Sequence, residues 1–215
     1  MQSPSDVPLD PATAESFLDA MEGVCYLTDP EGRIRAVGRR GWRSFASENG
    51  APQLCDLDSV LDRPLVDFIA GAEVRRSYLA FLEKLLSGKR RSLHFETRCD
   101  SPGVRRRLRM CISTVAVQDR VAGFLFQSLT LEEHERPPVD LFDAAAMLAH
   151  LAARSDLPIL RMCSYCQNVA PEHEAADSEW ISAETYYRLG GTSNVRISHG
   201  ICPACMTDRV EPLLA

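Results

Sequence analysis

The chain contains no run approaching the ~18 uninterrupted apolar residues of a membrane-spanning helix. Its first residues, Met1-Gln2-Ser3-Pro4-Ser5-Asp6, lack both the basic and the apolar region of a secretory leader. Positive charge is also short: 24 Lys and Arg face 30 Asp and Glu, a net charge of −6, which argues against a protein whose main task is to clamp a phosphate backbone. No glycine-rich G-x-x-x-x-G-K-[ST] phosphate loop occurs, and no Ser/His/Asp set clusters in sequence, so no enzyme is expected. These absences place the 215 residues in the cytoplasm, in a reducing environment. There, paired cysteines signal metal or redox chemistry more often than structural disulfides.

Eight cysteines are present, and four of them are paired: Cys163-Ser164-Tyr165-Cys166 and Cys202-Pro203-Ala204-Cys205. Each pair sets two thiols on one tight turn. Two such turns brought together offer four sulfurs at the corners of a tetrahedron, the arrangement zinc takes in structural sites. Cys163, Cys166, Cys202 and Cys205 are therefore the candidate ligands of a structural Zn²⁺. A CxxC that cycles through a disulfide and simple buried cysteines are the competing readings. His199, three residues before Cys202, is a candidate neighbour of a thiolate or an alternative ligand. Thirty-five residues separate Cys166 from Cys202, enough for a strand-turn-helix insert with Trp180, Ile181, Tyr186, Tyr187 and Leu189 as its apolar centre and Ser182 as a helix cap. A unit this small needs a staple, so metal binding would supply its folding free energy. On that reading, replacing Cys163 and Cys202 should unfold residues 159–210 and leave the preceding sheet intact.

The preceding residues carry two periodicities. Helical spacing marks residues 12–22, then Trp42, Phe45 and Ala46, then Val74, Tyr78, Phe81, Leu82 and Leu85, with a shorter helical piece from Val60 to Phe68 interrupted by Pro64. Period-two alternation marks Val24–Asp29 and Arg33–Val37 around the turn Pro30-Glu31-Gly32. It marks Leu93, Phe95, Thr97 and Cys99 against His94, Glu96 and Arg98, then Leu108, Met110 and Ile112, and finally Val121–Leu129. Lys89-Arg90-Arg91 and Arg105-Arg106-Arg107 read as solvated strand ends. Glu132–Pro138 reads as a linker, and Leu141, Ala145, Leu148, Leu151 and Ala152 as the stripe of a connector helix over 141–153.

The order of two strands, several helices and three strands, with Leu27-Thr28-Asp29-Pro30-Glu31-Gly32-Arg33-Ile34 on the hairpin and Trp42–Gly50 on the next helix, resembles a PAS domain. The resemblance implies an α+β fold: a five-stranded antiparallel sheet crossed by helices on one face, with a ligand or partner sensed between them. The carboxyl-terminal residues, with Ser198-His199-Gly200-Ile201-Cys202-Pro203-Ala204-Cys205, resemble a cysteine-rich module at the end of bacterial PAS and two-component proteins. Four regions are expected: a tail over 1–13, a PAS sensor over 14–130, a linker with its helix over 131–158, and a zinc-ribbon-like module over 159–215. The flavin-adduct motif Asn-Cys-Arg-Phe-Leu is absent, and the sensor ligand cannot be named from the residues.

The remaining candidates are weaker. His94 sits on a polar strand face and is expected at the surface rather than on a haem. Cys25, Cys55, Cys99 and Cys111 are unpaired and expected to be structural, with Cys99 on the face lining the sensor interior. His150 lacks the acidic and proline neighbours of a kinase phosphoacceptor, and no ATP-binding domain follows it. The expected function is a cytoplasmic signalling protein: PAS sensing, transmission by the connector helix, and output through the cysteine module to a kinase, response regulator or transcription factor. Pairing of two copies through helices 12–22 and 141–153 is expected. A redox switch that releases zinc on oxidation and a DNA-binding regulator are the alternatives. Four arginines against seven carboxylates in residues 159–215 count against the last of these.

Overall fold

The computed structural model describes residues 11–153, 156–171 and 179–215. Its first unit is a five-stranded antiparallel sheet built from β1 (Val24–Thr28), β2 (Ile34–Val37), β3 (Ser92–Arg98), β4 (Val104–Val117) and β5 (Arg120–Glu135), in the order β2-β1-β5-β4-β3. Helices α2 (Arg39–Glu48) and α3 (Ala72–Leu86) and three single turns at Pro52–Cys55, Leu57–Ser59 and Leu65–Phe68 cross one face. Alternation in the strands decides that face: Tyr26, Leu93, Phe95, Ile112, Phe124 and Phe126 point inward and meet Val74, Phe81, Leu82 and Leu85 of α3. Helix α1 (Pro11–Ala20) packs Ala14 and Leu18 on Cys25 and Ala36 of the opposite face. This is the α+β architecture that the PAS resemblance implies. The tail falls mostly in residues 1–10, which lie outside the described residues.

Two charged segments behave differently from expectation. Strand β5 continues to Glu135 through residues read as linker, because Glu132 and Glu133 meet arginines across the ladder. Arg106 is paired in register with Glu133 and bonds it at 2.5 Å, and Arg107 opposite Glu132 bridges Glu132 and Glu96. Arg106 is not solvated: it follows the inward parity of Leu108 and Ile112, is 4% exposed, and gives a further hydrogen bond to Asn49 Oδ1 at 2.8 Å. Buried cations persist when their hydrogen bonds are satisfied in this way.

The second unit is a three-stranded sheet of order β7-β6-β8, formed by β6 (Ile159–Cys163), β7 (Val169–Pro171) and β8 (Arg196–Gly200), with β6 and β8 parallel. Helix α4 (Ala144–Ala153) follows a turn at Asp140–Phe142, and Val139, Leu141, Phe142 and Met147 pack on Leu160, Met162 and Val169 of this sheet and on Val195 just before β8. Of the expected stripe, the side chains of Leu148, Leu151 and Ala152 lie outside what is described. Helix α5 (Ala183–Arg188) starts at Ser182, whose Oγ accepts the Thr185 N–H at 3.1 Å, as the cap pattern predicts. Leu189, assigned to the apolar centre, is 74% exposed: it follows the last helical turn, where the chain reverses at Gly190.

A single core joins the two units. Cys163, Tyr165, Ile201, Cys202, Cys205, Val210 and Leu213 belong to the same buried cluster as Phe81, Leu85, Phe95 and Phe126. Gly71, just before α3, fixes the seam. Its φ is +88°, and a Cβ there would stand 2.4 Å from the His199 carbonyl oxygen, so only glycine lets β8 approach the helix.

Candidate metal centre

The parallel pairing of β6 with β8 aligns Cys163 with Gly200, so the two knuckles leave their strands at the same end of the sheet. The first knuckle turns back on itself through Gln167 (φ +57°), whose N–H reaches the Cys163 carbonyl at 2.9 Å, and the Ser164 N–H bonds the Gly200 carbonyl at 2.9 Å. The second opens the helical run of α6 (Pro203–Cys205), a wide turn at Met206–Val210 and α7 (Glu211–Leu214); Cys202 Sγ caps α6 by accepting the Cys205 N–H at 3.4 Å. The structure thus gathers Cys163, Cys166, Cys202 and Cys205 with all four sulfurs within 4.8 Å of one another.

The donor set fits zinc. A tetrahedron with Zn–S bonds of ~2.3 Å has edges of about 3.8 Å, and Cys166 Sγ lies 3.7 Å from Cys202 Sγ. Backbone N–H groups of Tyr165 and Cys202 point at Cys163 Sγ at 3.5 and 3.4 Å, the kind of contact that stabilises thiolate charge. The thiols compete for protons. Hydrogen bonds from Cys166 and Cys205, aided by backbone N–H groups, hold Cys163 far below an ordinary thiol. The same hydrogen bonds push Cys166 up to about 12 and Cys205 higher still. One central cation would replace the shared protons. Cys163, Cys202 and Cys205 are buried, whereas Cys166 is half-buried and opens with Trp180, Pro203 and Arg209 onto a cavity of about 400 Å³.

His199 stands beside this centre and outside the sulfur cluster. It pairs with Met162 in the sheet and lines a cavity of about 260 Å³ with Cys163, Tyr78 and Phe95; burial lowers its basicity. His94 is exposed and meets Ser92 Oγ at 3.2 Å. Cys99 lines the interior of the five-stranded unit, as its strand parity requires, and burial pushes its thiol up to about 11. Cys25 is buried beneath α1, and Cys111 lies on the same outer face of the sheet.

Sequence reasoning did not find the groups that tie this centre to the first unit. The first knuckle covers the edge strand β3. The Arg98 N–H donates to the Tyr165 carbonyl at 2.8 Å, and Thr97 Oγ1 donates to the Ser164 and Tyr165 carbonyls at 3.1 and 3.2 Å. Glu73 in the first turn of α3 accepts the Ile201 N–H at 3.1 Å, and Arg209 donates to the Glu96 carbonyl at 2.6 Å. A polar residue beside a hydrophobic strand gave no signal of such a distant carbonyl.

Tyr165 reaches furthest. Its ring is 2% exposed and 5.5 Å from that of Phe95, and its buried hydroxyl has no hydrogen-bond partner among the described residues. An unsatisfied hydroxyl costs about 1–3 kcal/mol, so Tyr165→Phe is expected to leave stability unchanged or raise it by up to ~1 kcal/mol. A urea midpoint that falls in this variant would assign the hydroxyl a partner.

The first unit has its own cavity of about 390 Å³ between sheet and helices, walled by Tyr26, Trp42, Phe68, Tyr78, Leu108 and Met110. Phe68, Ile69, Tyr78 and Thr97 line both it and the cavity at the knuckle. Solved structures offer a comparison. This chain is similar to PAS domains. The PAS domain of BvgS from Bordetella pertussis is 14% identical, with 66% of this chain and 93% of that one covered and a TM-score of 0.44. A PAS domain from Colwellia psychrerythraea is 9% identical over 56% of this chain and 95% of that one, with a TM-score of 0.40. VqmA bound to DPO is 9% identical over 65% of this chain and 61% of that one, with a TM-score of 0.34. No protein-family model matches the chain, and no curated protein does. In the PAS-like unit as in the second sheet, no helix among the described residues is long and apolar enough to cross a membrane.

Proposed function

We propose that this chain is a cytoplasmic, non-catalytic signalling protein. A small molecule enters the cavity between sheet and helices, and the second unit, fixed by a structural Zn²⁺ on Cys163, Cys166, Cys202 and Cys205, is the surface read by a partner. That partner is a signalling protein: a kinase, a response regulator or a transcription factor. Phe17 of α1, 65% exposed, supports pairing of two copies along that helix.

One observation carries this reading. Thr97 belongs to the wall of the sensor cavity, and its single hydroxyl proton is shared between the Ser164 and Tyr165 carbonyls of the first knuckle. An occupant that moves this wall is thereby felt beside two metal ligands, and it biases the output by no more than its differential affinity for the two arrangements. The half-buried Cys166, facing its own cavity, supports a second reading in which peroxide oxidises the centre and releases the metal.

The test uses the full chain purified without added metal. About one zinc per chain, retained under mild peroxide, is expected for the structural role; rapid loss reversed by a thiol reductant would favour the redox reading. Filling the cavity with Ala51→Phe is expected to change amide hydrogen exchange in residues 163–167, and Thr97→Val to abolish that response. Unchanged exchange on filling would end the sensor-to-knuckle reading.

A further inference from the structure

We propose that the sensor cavity takes a small, uncharged aromatic molecule bearing a hydrogen-bond acceptor, such as a ketone or amide carbonyl, and that the hydroxyls of Tyr26 and Tyr78 bind that acceptor. The inference rests on the sensor reading above and names the chemistry of its ligand.

The cavity is generous in apolar surface and short of free polar groups. Most of its polar side chains are already committed. Trp42 Nε1 donates to the Leu54 carbonyl at 2.8 Å, and Asn49 donates to the Phe45 carbonyl at 2.8 Å while accepting from Arg106. Thr97 serves the knuckle, and Arg98 is held by Asp100.

The two phenols differ. Tyr26 is 8% exposed, stacked on Phe126 with centroids 4.8 Å apart and edge-on to Trp42 at 5.6 Å, so its ring cannot swing to seek a partner. Tyr78 is fixed by Phe81 and Phe95 at 5.9 and 6.1 Å. Both line the cavity, and no hydrogen bond to a described residue acts on either phenol. Burial raises both phenols, Tyr78 to about 12, so both remain protonated donors at neutral pH. Two fixed donors without acceptors in an apolar chamber are complementary to an acceptor on a hydrophobic ligand.

The sign of the ligand follows from the same wall. No carboxylate lines the cavity, and its one guanidinium is neutralised by Asp100, so a charged ligand would be desolvated without a counter-charge. Five aromatic rings, of Tyr26, Trp42, Phe45, Phe68 and Tyr78, favour a flat molecule, and about 390 Å³ suits a mono- or bicyclic one better than haem or flavin.

The test compares 2-acetonaphthone, the same-shaped 2-ethylnaphthalene without the acceptor, and 2-naphthoate. Each is titrated into zinc-loaded full-length protein carrying Trp180→Phe, so that emission reports Trp42 in the cavity wall. The ketone is expected to bind at least about tenfold more tightly than the hydrocarbon. Tyr26→Phe with Tyr78→Phe should reduce that ratio to roughly threefold or less while leaving the hydrocarbon's affinity within about twofold. Ala51→Phe should abolish both. Equal binding of ketone and hydrocarbon, a ratio untouched by the double substitution, or tightest binding of the naphthoate would overturn the proposed class and leave the cavity as a site. If none of the three binds saturably, the sensor reading falls with it.

Discussion

Replacing Cys163 and Cys202 by serine is expected to unfold the sensor sheet together with the second unit, in one cooperative transition. The reason lies in the shared core: Cys163, Cys202, Tyr165 and Ile201 are packed with Phe81, Leu85 and Phe95 of the sensor. Structural zinc contributes ~10–16 kcal/mol of apparent folding free energy in finger peptides, comparable with the ~5–15 kcal/mol that stabilises a whole domain. Loss of two ligands therefore removes a quantity on the scale of the total. The two tryptophans report the two ends, Trp42 in the cavity of the first unit and Trp180 beside the cysteine cluster. Denaturant titrations of Trp42→Phe and Trp180→Phe backgrounds should give coincident midpoints, both shifted down by the cysteine substitutions. Chelation of the metal should act the same way. A Trp42 transition left where it was would show that the units are energetically separate, as the sequence alone suggests.

Local periodicity made most of the elements legible. Val74, Tyr78, Phe81, Leu82 and Leu85 spell α3 at helical spacing, and Leu93, Phe95, Thr97 and Cys99 spell the inner face of β3 and its extension, because both patterns are written within a few turns of chain. The four clustered cysteines were legible for the same reason, since each CxxC is its own local geometry. What a buried residue is buried against is not local. Tyr165 and Ile201 read as parts of a self-contained module, yet they belong to the core of the five-stranded unit. Glu132 and Glu133 read as linker because charge looks like loop until the arginines across the ladder are known. Arg106 shows the same difficulty from the other side: its inward parity was visible, but its burial depends on Glu133 and Asn49, far away in sequence.

Asp100 is the largest of these non-local cases and carries the second prediction. In sequence it belongs to the turn Asp100-Ser101-Pro102-Gly103, where an exposed carboxylate is ordinary. In the structure its side chain is fully buried between two guanidiniums, hydrogen-bonded to Arg98 and 2.9 Å from Arg136 Nη1; its Oδ1 also accepts the Arg106 N–H at 3.1 Å. Arg136 is 9% exposed, lies over the Phe142 ring at 4.5 Å and continues to Glu184 at 2.9 Å, so the carboxylate sits at the junction of sensor, turn and second unit. Removing one member of a buried ion group leaves its partners charged and uncompensated, at a cost of ~3–5 kcal/mol. Asp100→Ala is expected to lose that much in urea unfolding. Asp100→Leu combined with Arg98→Met and Arg136→Met should recover more than half of it, because replacing a whole buried ion group by apolar side chains is often neutral. Arg136→Met alone should cost less than Asp100→Ala, since Glu184 is half-exposed and returns to water, whereas Asp100 keeps Arg98. A triple variant no more stable than Asp100→Ala would mean that the carboxylate matters through the backbone N–H of Arg106 and the turn it closes, and not through the charges around it.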